Sequence, residues 1–236
     1  MSIVRAVSGA LRLEWDTRSN ELRANGKIAK PSIVRTVKEL YPVIQDREWK
    51  NHQDNKKVAY WVFGNIAASE SDAKALKKNG VSVAVTIFPD GTFGKELAKT
   101  FGHYHKKLGA TWLEVLSGQA TFVLQHENPA TKKVDDVILA DATPGKGVMI
   151  RPGYGHVSVN ASTKKILILL SASKKLGADH DVYKKKGGAA VQLFLGGFVS
   201  KNRFYDDLPE PRRTRAAKAE KPLYDKALRE PKSLGF

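Results

Sequence analysis

The feature that most constrains the fold is a long succession of short β-type segments that begins at residue 81. The run VSVAVTIF (81–88) places valine or isoleucine at every second position, which is the period of a strand with one apolar face. Turns rich in Gly, Pro, Asn and Asp separate further runs of this kind at 111–116, 120–125, 135–140, 148–152, 156–160, 164–171 and 190–199. Eight or more short strands with such turns predict a sandwich or a closed barrel.

Weaker signals flank this region. The segment 33–46 (IVRTVKELYPVIQD) has apolar residues at helical spacing and predicts a short helix that Pro42 interrupts. TWLEVL, SGQ and ATFVLQ follow one another over 111–125 and predict a β-hairpin. Residues 207–236 are rich in Pro, Ala and charge and predict a basic tail that is partly helical or disordered. We therefore expect an N-terminal arm at 1–30, a barrel domain at 31–206 and this tail at 207–236.

The composition excludes several classes of protein. There is no cysteine, which excludes disulfides, thiolate metal sites and cysteine nucleophiles. No apolar run approaches the roughly 20 residues that span a bilayer, and charged residues interrupt the first 20 residues, so we expect a cytoplasmic protein with no membrane partner. The formal charge of +16, from 40 Lys and Arg against 24 Asp and Glu, favours an anionic partner. Because the excess is diffuse and accompanies no nucleic-acid-binding motif, it favours a generally basic surface over a dedicated binding stripe, and nucleic acid remains a possible partner of that surface.

Three histidines form the strongest candidate for a functional site. His103 and His105 lie one residue apart in TFGHYH (100–105). Alternate side chains of a strand share a face, so both imidazoles could ligate one divalent cation. His156 opens a strand after the turn RPGYG and could supply a third ligand from across a barrel. A lone His-x-His pair is often structural, but the two motifs in this order favour a metal site.

The two motifs also carry a family resemblance. GHYH followed by RPGYGHVSVN resembles the metal-binding motifs of the cupins, and residues 30–200 are most similar to the cupin-type glucose-6-phosphate isomerases of archaea and bacteria. The segments FGKEL and ADHDVY resemble that family too. The resemblance implies an all-β cupin fold (a double-stranded β-helix, or jelly-roll barrel) with a short N-terminal helical segment and the basic C-terminal tail. It also implies a homodimeric, metal-dependent enzyme of glycolysis and gluconeogenesis that interconverts glucose 6-phosphate and fructose 6-phosphate.

Carried over position by position, the resemblance implies three groups of site residues. They are the metal ligands His103, His105 and His156, the phosphate contacts Thr86, Thr100 and Gly102, and the catalytic, sugar-contacting residues His180 and Tyr183. The resemblance favours Fe²⁺ as the metal, with Mn²⁺, Ni²⁺ or Zn²⁺ as alternatives.

The chain departs from the family pattern at the fourth metal ligand. The family has a Glu seven residues before the hairpin glycine, and counting back from Gly118 gives Thr111. The nearest acid is Glu114, but an offset of three residues places it on the other face of a regular strand, where we expect a solvated side chain. Thr111 is a poor metal ligand and cannot act as a carboxylate base.

Two functions therefore remain open. The family's phosphate-contacting Tyr is also absent, since Ala172 stands near its position and Ser171 or Ser173 would have to substitute. The first function is a divergent hexose-phosphate isomerase in which His180 or a hydroxide acts as the base. The second is a catalytically inactive scaffold that binds a sugar phosphate or assembles on nucleic acid. The three histidines favour the isomerase, whereas Thr111 and the net charge favour the scaffold.

Overall fold

The computed structural model describes residues 3–54 and 56–235, and its strands greatly outnumber its helices. The strands are β1 Ile3–Ser8, β2 Leu11–Asp16, β3 Glu21–Ala24, β4 Lys27–Ala29, β5 Ile33–Thr36, β6 Val58–Gly64, β7 Val81–Phe88, β8 Thr92–Phe93, β9 Glu96–Leu97, β10 Tyr104–His105, β11 Thr111–Ser117, β12 Ala120–Glu127, β13 Val134–Ala142, β14 Lys146–Ile150, β15 Tyr154–Asn160, β16 Leu167–Lys174, β17 Ala178–Asp179, β18 Val191–Leu193, β19 Val199–Lys201, β20 Arg212–Arg215 and β21 Ala217–Lys218. The α-helices are α1 Val37–Leu40, α2 Arg47–Asn51, α3 Glu70–Lys78, α4 Asp181–Lys185 and α5 Leu223–Arg229. The outermost residues of the expected arm and tail, 1–2 and 236, lie outside the described residues. No described helix is both long enough and apolar enough to cross a membrane.

Two sheets build the barrel. A seven-stranded sheet runs in the order β21-β14-β11-β16-β7-β6-β5, and a four-stranded sheet runs in the order β15-β12-β13-β20. Apolar side chains from both sheets form one buried cluster between them, with Phe88, Phe122 and Ile150 fully buried. Closing two sheets over a shared core removes this apolar surface from water. The all-β expectation is confirmed.

The expected N-terminal arm is an antiparallel sheet, β1-β2-β3-β4, that packs on the outer face of the seven-stranded sheet. Trp15 from β2 meets Trp61 from β6 at a ring-centroid distance of 4.9 Å. Strand β7 therefore has two buried faces: Val85 packs in this outer cluster, and the neighbouring Thr86 faces the barrel interior. This double burial explains why β-branched residues dominate β7.

The C-terminal segment differs from the expected tail because it is built into both sheets. Strand β20 pairs in parallel with β13, Arg212 opposite Ile138, and β21 pairs with β14. Helix α5 then buries Leu223 and Tyr224 against the outer face of the barrel. Composition alone could not predict this arrangement, because the strand partners lie some seventy residues away along the chain.

The predicted hairpin at 111–125 is wrong. Strand β11 pairs with β14 and β16, whereas β12 pairs with β13 and β15, so the two strands belong to opposite sheets. Gly118 lies between them at a φ of 81°, a conformation that glycine adopts without strain. A Cβ at Gly118 would also lie 2.7 Å from the carbonyl oxygen of Ile166. The turn therefore carries the chain from one sheet to the other.

The predicted helix at 33–46 is reduced to one turn. Residues 33–36 form β5, and α1 covers only Val37–Leu40 before a 3₁₀ turn at Tyr41–Val43. The Thr36 side chain accepts from the Glu39 N–H, and the Glu39 carboxylate accepts from the Thr36 N–H at 2.7 Å. This capping box fixes the helix start at residue 37, so the residues before it remain extended.

Glu114 lies on the outer face of β11, as its strand parity predicts, but the prediction of a solvated side chain is wrong. Its residue exposure is 6% because β1 and α5 cover it. The Glu114 Oε2 accepts from Ser8 Oγ at 2.6 Å and from the Leu223 N–H at 3.1 Å. The carboxylate therefore joins the N-terminal sheet, the barrel and the C-terminal helix, and burial raises its pKa above the ordinary 4.5.

We expect Glu114→Gln to change the pH dependence of stability. A carboxyl group with a raised pKa binds more protons folded than unfolded above pH 4.5, so its contribution to stability is lost as the pH rises through the raised value. Chemical denaturation should show that the free energy of unfolding of Glu114→Gln rises relative to that of the wild type as the pH increases from 4 to 8. Glu114→Ala should cost about 2 kcal/mol, because two buried donors lose their acceptor. If the free energy of unfolding of the wild type minus that of Glu114→Gln stays constant or increases with pH, the raised pKa of Glu114 is contradicted.

Candidate metal centre and cavity

The three motif histidines come together at one end of the barrel interior. His156 belongs to β15, and His103 forms an isolated antiparallel bridge with it, with N–H···O distances of 3.2 and 3.0 Å. His105 ends β10 and is held from the other side by pairing with Ala178 in β17. One potential ligand nitrogen from each imidazole lies within 4.8 Å of the others. Backbone pairing therefore sets the convergence of the three rings.

All three imidazoles are neutral near pH 7. Burial, followed by the neighbouring His105 and His180, lowers the pKa of His103 to about 3. Burial also lowers the pKa of His105 and, more strongly, that of His156. A neutral imidazole keeps one nitrogen lone pair for a metal ion.

The tautomer of His105 follows from its neighbours. Its Nδ1 lies 3.4 Å from the Gly177 carbonyl oxygen, which can only accept, so Nδ1 carries the hydrogen. The lone pair is then on Nε2, which lies 2.9 Å from Thr111 Oγ1 and accepts from that hydroxyl. Thr111, at the position of the expected carboxylate ligand, thus contacts a metal-ligand candidate through a neutral hydrogen bond.

The residues present fit a divalent cation. Three neutral imidazoles are a donor set that Fe²⁺, Ni²⁺ and Zn²⁺ accept. The Nδ1 of His156 is buried and has no hydrogen-bond partner among the described residues. Such orphaned buried atoms are rare, and a bound ion beside the ring would account for this one. His103, His105 and His156 would therefore hold the cation, with coordination positions left for other ligands.

The triad opens into a cavity of about 240 Å³ inside the barrel. Every residue expected to contact metal or phosphate lines it: Thr86, Thr100, Gly102, His103, His105 and His156, together with His180. The Thr100 hydroxyl accepts from the Ser158 N–H at 3.0 Å, which leaves its own O–H free to donate. Ser171 and Ser173 line the cavity as well, whereas Ala172 between them faces the outer cluster.

His180 lies beside the triad, and its Nε2 has no hydrogen-bond partner among the described residues. Its ring is 5.4 Å from that of His103, centroid to centroid, and edge-on to Phe101 at 5.2 Å. Its Nδ1 lies 2.7 Å from the Gly102 carbonyl oxygen, which can only accept, so Nδ1 is the donor. Nε2 is therefore the ring nitrogen through which His180 can exchange a proton with a ligand.

Tyr183, expected to contact the sugar, does not line the cavity. It is fully buried and lies behind the loop of Gly102. A Cβ at Gly102 would come within 2.6 Å of the Tyr183 ring, and one at Gly155 within 2.6 Å of its hydroxyl oxygen. Tyr183 therefore supports the loop that leads into His103 and is a positioning residue. The close approach requires the two glycines.

Two cavity residues, Arg35 and Tyr60, were missed by sequence reasoning. Arg35 projects from β5 and Tyr60 from β6, opposite each other in register. Reading 33–46 as one helix hid Arg35, although the capping box of Thr36 and Glu39 was a signal that the residues before 37 are extended. Burial raises the pKa of Tyr60, so its hydroxyl stays protonated.

Solved structures match this chain only at low similarity. Oxalate oxidase in complex with glycolate matches with a TM-score of 0.34 and 16% identity, over 43% of this chain and 46% of that one. Peruvianin-I from Thevetia peruviana latex matches with a TM-score of 0.37 and 16% identity, over 51% and 65%. Likeness at this level carries no conclusion about function.

Sequence comparisons are more specific. The glucose-6-phosphate isomerase of Pyrococcus furiosus is 26% identical over 173 residues, which cover 72% of this chain and 85% of that one. The corresponding enzyme of Thermococcus onnurineus is 28% identical over 169 residues, 71% of this chain and 82% of that one. The model of the family described as glucose-6-phosphate isomerase (GPI) matches residues 34–210, from β5 to the segment before β20. The predicted resemblance is confirmed: the chain belongs to the cupin-type glucose-6-phosphate isomerase family of enzymes.

Proposed function

We propose that this protein is a metal-dependent aldose–ketose isomerase that interconverts glucose 6-phosphate and fructose 6-phosphate. The observation that carries the proposal is the convergence of three neutral imidazoles at the wall of a cavity of about 240 Å³. A barrel that served only as a scaffold has no physical need for three such rings with an unpartnered buried nitrogen among them. Membership in the isomerase family supports the substrate.

The cavity lining offers two kinds of group to a sugar phosphate. A divalent cation bound by the triad would polarise the C1 and C2 oxygens of the open-chain sugar. The hydroxyls of Thr86 and Thr100 line the same cavity and can donate to phosphate oxygens without adding charge near the triad. The hydroxyls of Ser171 and Ser173 add further polar groups to the lining.

His180 is the proposed general base. In the direction from glucose 6-phosphate to fructose 6-phosphate, its Nε2 accepts the proton from C2 and returns it to C1, while the hydroxyl proton moves from O2 to O1. The Gly102 carbonyl holds the hydrogen on Nδ1 and so keeps Nε2 available. Thr111 cannot take this role, because a hydroxyl is too weak a base at neutral pH.

A coupled assay tests the proposed activity. Metal-free protein is reloaded separately with Fe²⁺, Mn²⁺, Ni²⁺ or Zn²⁺, and conversion of fructose 6-phosphate is followed through a dehydrogenase specific for glucose 6-phosphate. Turnover with at least one metal supports the proposal. Folded protein that turns over with none of them contradicts it.

We expect His180→Gln to lower kcat by about 10²- to 10⁴-fold, the range of general-base catalysis, while KM and metal content stay within about threefold. Gln can still donate to the Gly102 carbonyl, so the loop keeps its contact. Steady-state kinetics with metal analysis measure this, with the exposed His52→Gln as control. An unchanged kcat in His180→Gln would remove His180 from the base role.

The scaffold function remains the second candidate, because Thr111 stands where a carboxylate ligand was expected and the net charge is +16. Strong, salt-dependent retention on heparin would favour it. Homodimerisation, cytoplasmic location, a nucleic-acid partner and a place in glycolysis or gluconeogenesis stay predictions.

A further inference from the structure

One cavity residue has a charge that the proposed mechanism does not use. Arg35 is the only residue with a permanent charge among the described residues that line the cavity. The three triad imidazoles are neutral, and no Asp or Glu belongs to the described lining. Among the described residues, the lining side chains therefore supply one permanent positive charge and no carboxylate, and the ion-pair partner of Arg35, Glu39, lies outside the lining.

Arg35 lies on the side of the cavity away from Thr111. Strand β5 is at one edge of the seven-stranded sheet, and β6, β7 and β16 separate it from β11. Arg35 pairs in register with Tyr60, whose hydroxyl faces the Phe101 N–H at 3.5 Å, between Thr100 and Gly102. The Arg35 side chain also interacts with the Tyr60 hydroxyl, which places the guanidinium near the backbone between Thr100 and Gly102.

The guanidinium is oriented by an acid outside the cavity. Arg35 Nη1 donates to Glu39 Oε1 at 3.1 Å, and the other Glu39 oxygen is fixed by the capping box. The side chain of Arg35 is 23% exposed, and its Nε is buried with no hydrogen-bond partner among the described residues. Glu39 holds only Nη1 of the guanidinium, and an oxygen-rich anion in the cavity would supply acceptors for the donors that Glu39 leaves.

Phosphate is the anion that this arrangement fits. A guanidinium presents a planar fork that binds two phosphate oxygens at once, and Arg35 is the one permanently charged side chain among the described residues that line the cavity. Resting on the proposed isomerase function, we propose that Arg35 recognises the substrate phosphate and sets the preference for phosphorylated over unphosphorylated sugars.

Kinetics of Arg35→Met and Arg35→Lys test the proposal. Met keeps the apolar stem without the charge, and Lys keeps the charge without the fork. Arg18→Met, at an exposed position outside the cavity lining, is the matched control. We expect Arg35→Met to raise KM for fructose 6-phosphate and Ki for inorganic phosphate about 10- to 100-fold, with kcat changed less. Arg35→Lys should fall between it and the wild type, and Arg18→Met should match the wild type.

Equilibrium binding separates this proposal from the proposed function. Calorimetric titration with glucose 6-phosphate and with inorganic phosphate is run on wild type and Arg35→Met, after circular dichroism shows that both fold. An inactive wild type that still binds glucose 6-phosphate at least tenfold more tightly than the variant would overturn the isomerase and support Arg35. An active wild type whose KM and Kd are matched within twofold by Arg35→Met would overturn the role of Arg35 and leave the isomerase standing.

Discussion

His156→Ala should reduce metal affinity by more than about 100-fold and bring isomerase turnover to background. Residues that merely orient a ligand account for 10- to 100-fold in affinity, and His156 is proposed as a ligand itself. Its imidazole is buried beside His103, at a ring-centroid distance of 4.3 Å, so its removal takes one of the three converging rings away. The backbone bridge between residues 103 and 156 does not need the side chain, which limits the damage to the fold.

Metal content by mass spectrometry after dialysis, with the coupled assay on the same samples, measures both effects of His156→Ala. His52→Ala is the matched control, since His52 is exposed and lies outside the cavity lining. His156→Gln is a second variant that fills more of the space of the imidazole, so that loss of metal in both variants is not explained by collapse of the site. Retention of one metal and full turnover by both His156 variants would contradict the assigned metal centre.

Thr111→Glu should tighten metal binding by at least about tenfold. Thr111 Oγ1 already lies 2.9 Å from His105 Nε2, so a carboxylate on this side chain would lie beside the triad. An anionic oxygen ligand offsets the charge of the cation, which three neutral imidazoles do not. Without metal the same variant should be less stable than the wild type, because position 111 is buried and an unpaired buried charge is costly.

Thr111→Val is the matched control for Thr111→Glu, since it keeps the shape and removes the hydroxyl. Competition against a chelator of known affinity measures the metal, and thermal unfolding with and without metal measures stability. We expect the Val variant to bind metal within about threefold of the wild type. If Glu at this position weakens metal binding, position 111 does not face the metal.

The family resemblance and the placement of the site were readable from local sequence. The two histidine motifs each lie near the start of a strand, and strand parity placed Glu114 on the outer face of β11. Strand parity follows from the alternation of side chains along one strand, so it can be predicted from a single sequence without knowing the strand's partners. It does not say what covers a face, and the arm and tail that bury Glu114 come from the two ends of the chain.

What the sequence did not predict depends on non-local pairing. The β11–β12 connection looks like a hairpin because its turn is short, yet each strand finds its partners elsewhere. The same limit hid the pairing of β20 with β13. Arg35 was not predicted as a cavity residue for a different reason. The apolar spacing of 33–46 favoured a helix, whereas the capping box of Thr36 and Glu39 starts the helix only at residue 37 and leaves Arg35 in a strand. In each case a specific contact overrode a periodic signal.

The central claim is that the three-histidine centre carries the isomerase activity, and a metal titration tests it most directly. Metal-free protein is titrated with Fe²⁺ under anaerobic conditions, and again with Mn²⁺, while initial rates of fructose 6-phosphate conversion are recorded at each addition. The account predicts no turnover before the first addition and a linear rise that breaks at one equivalent per chain. Full turnover in the metal-free protein, or none at any metal ratio in folded protein, would contradict it.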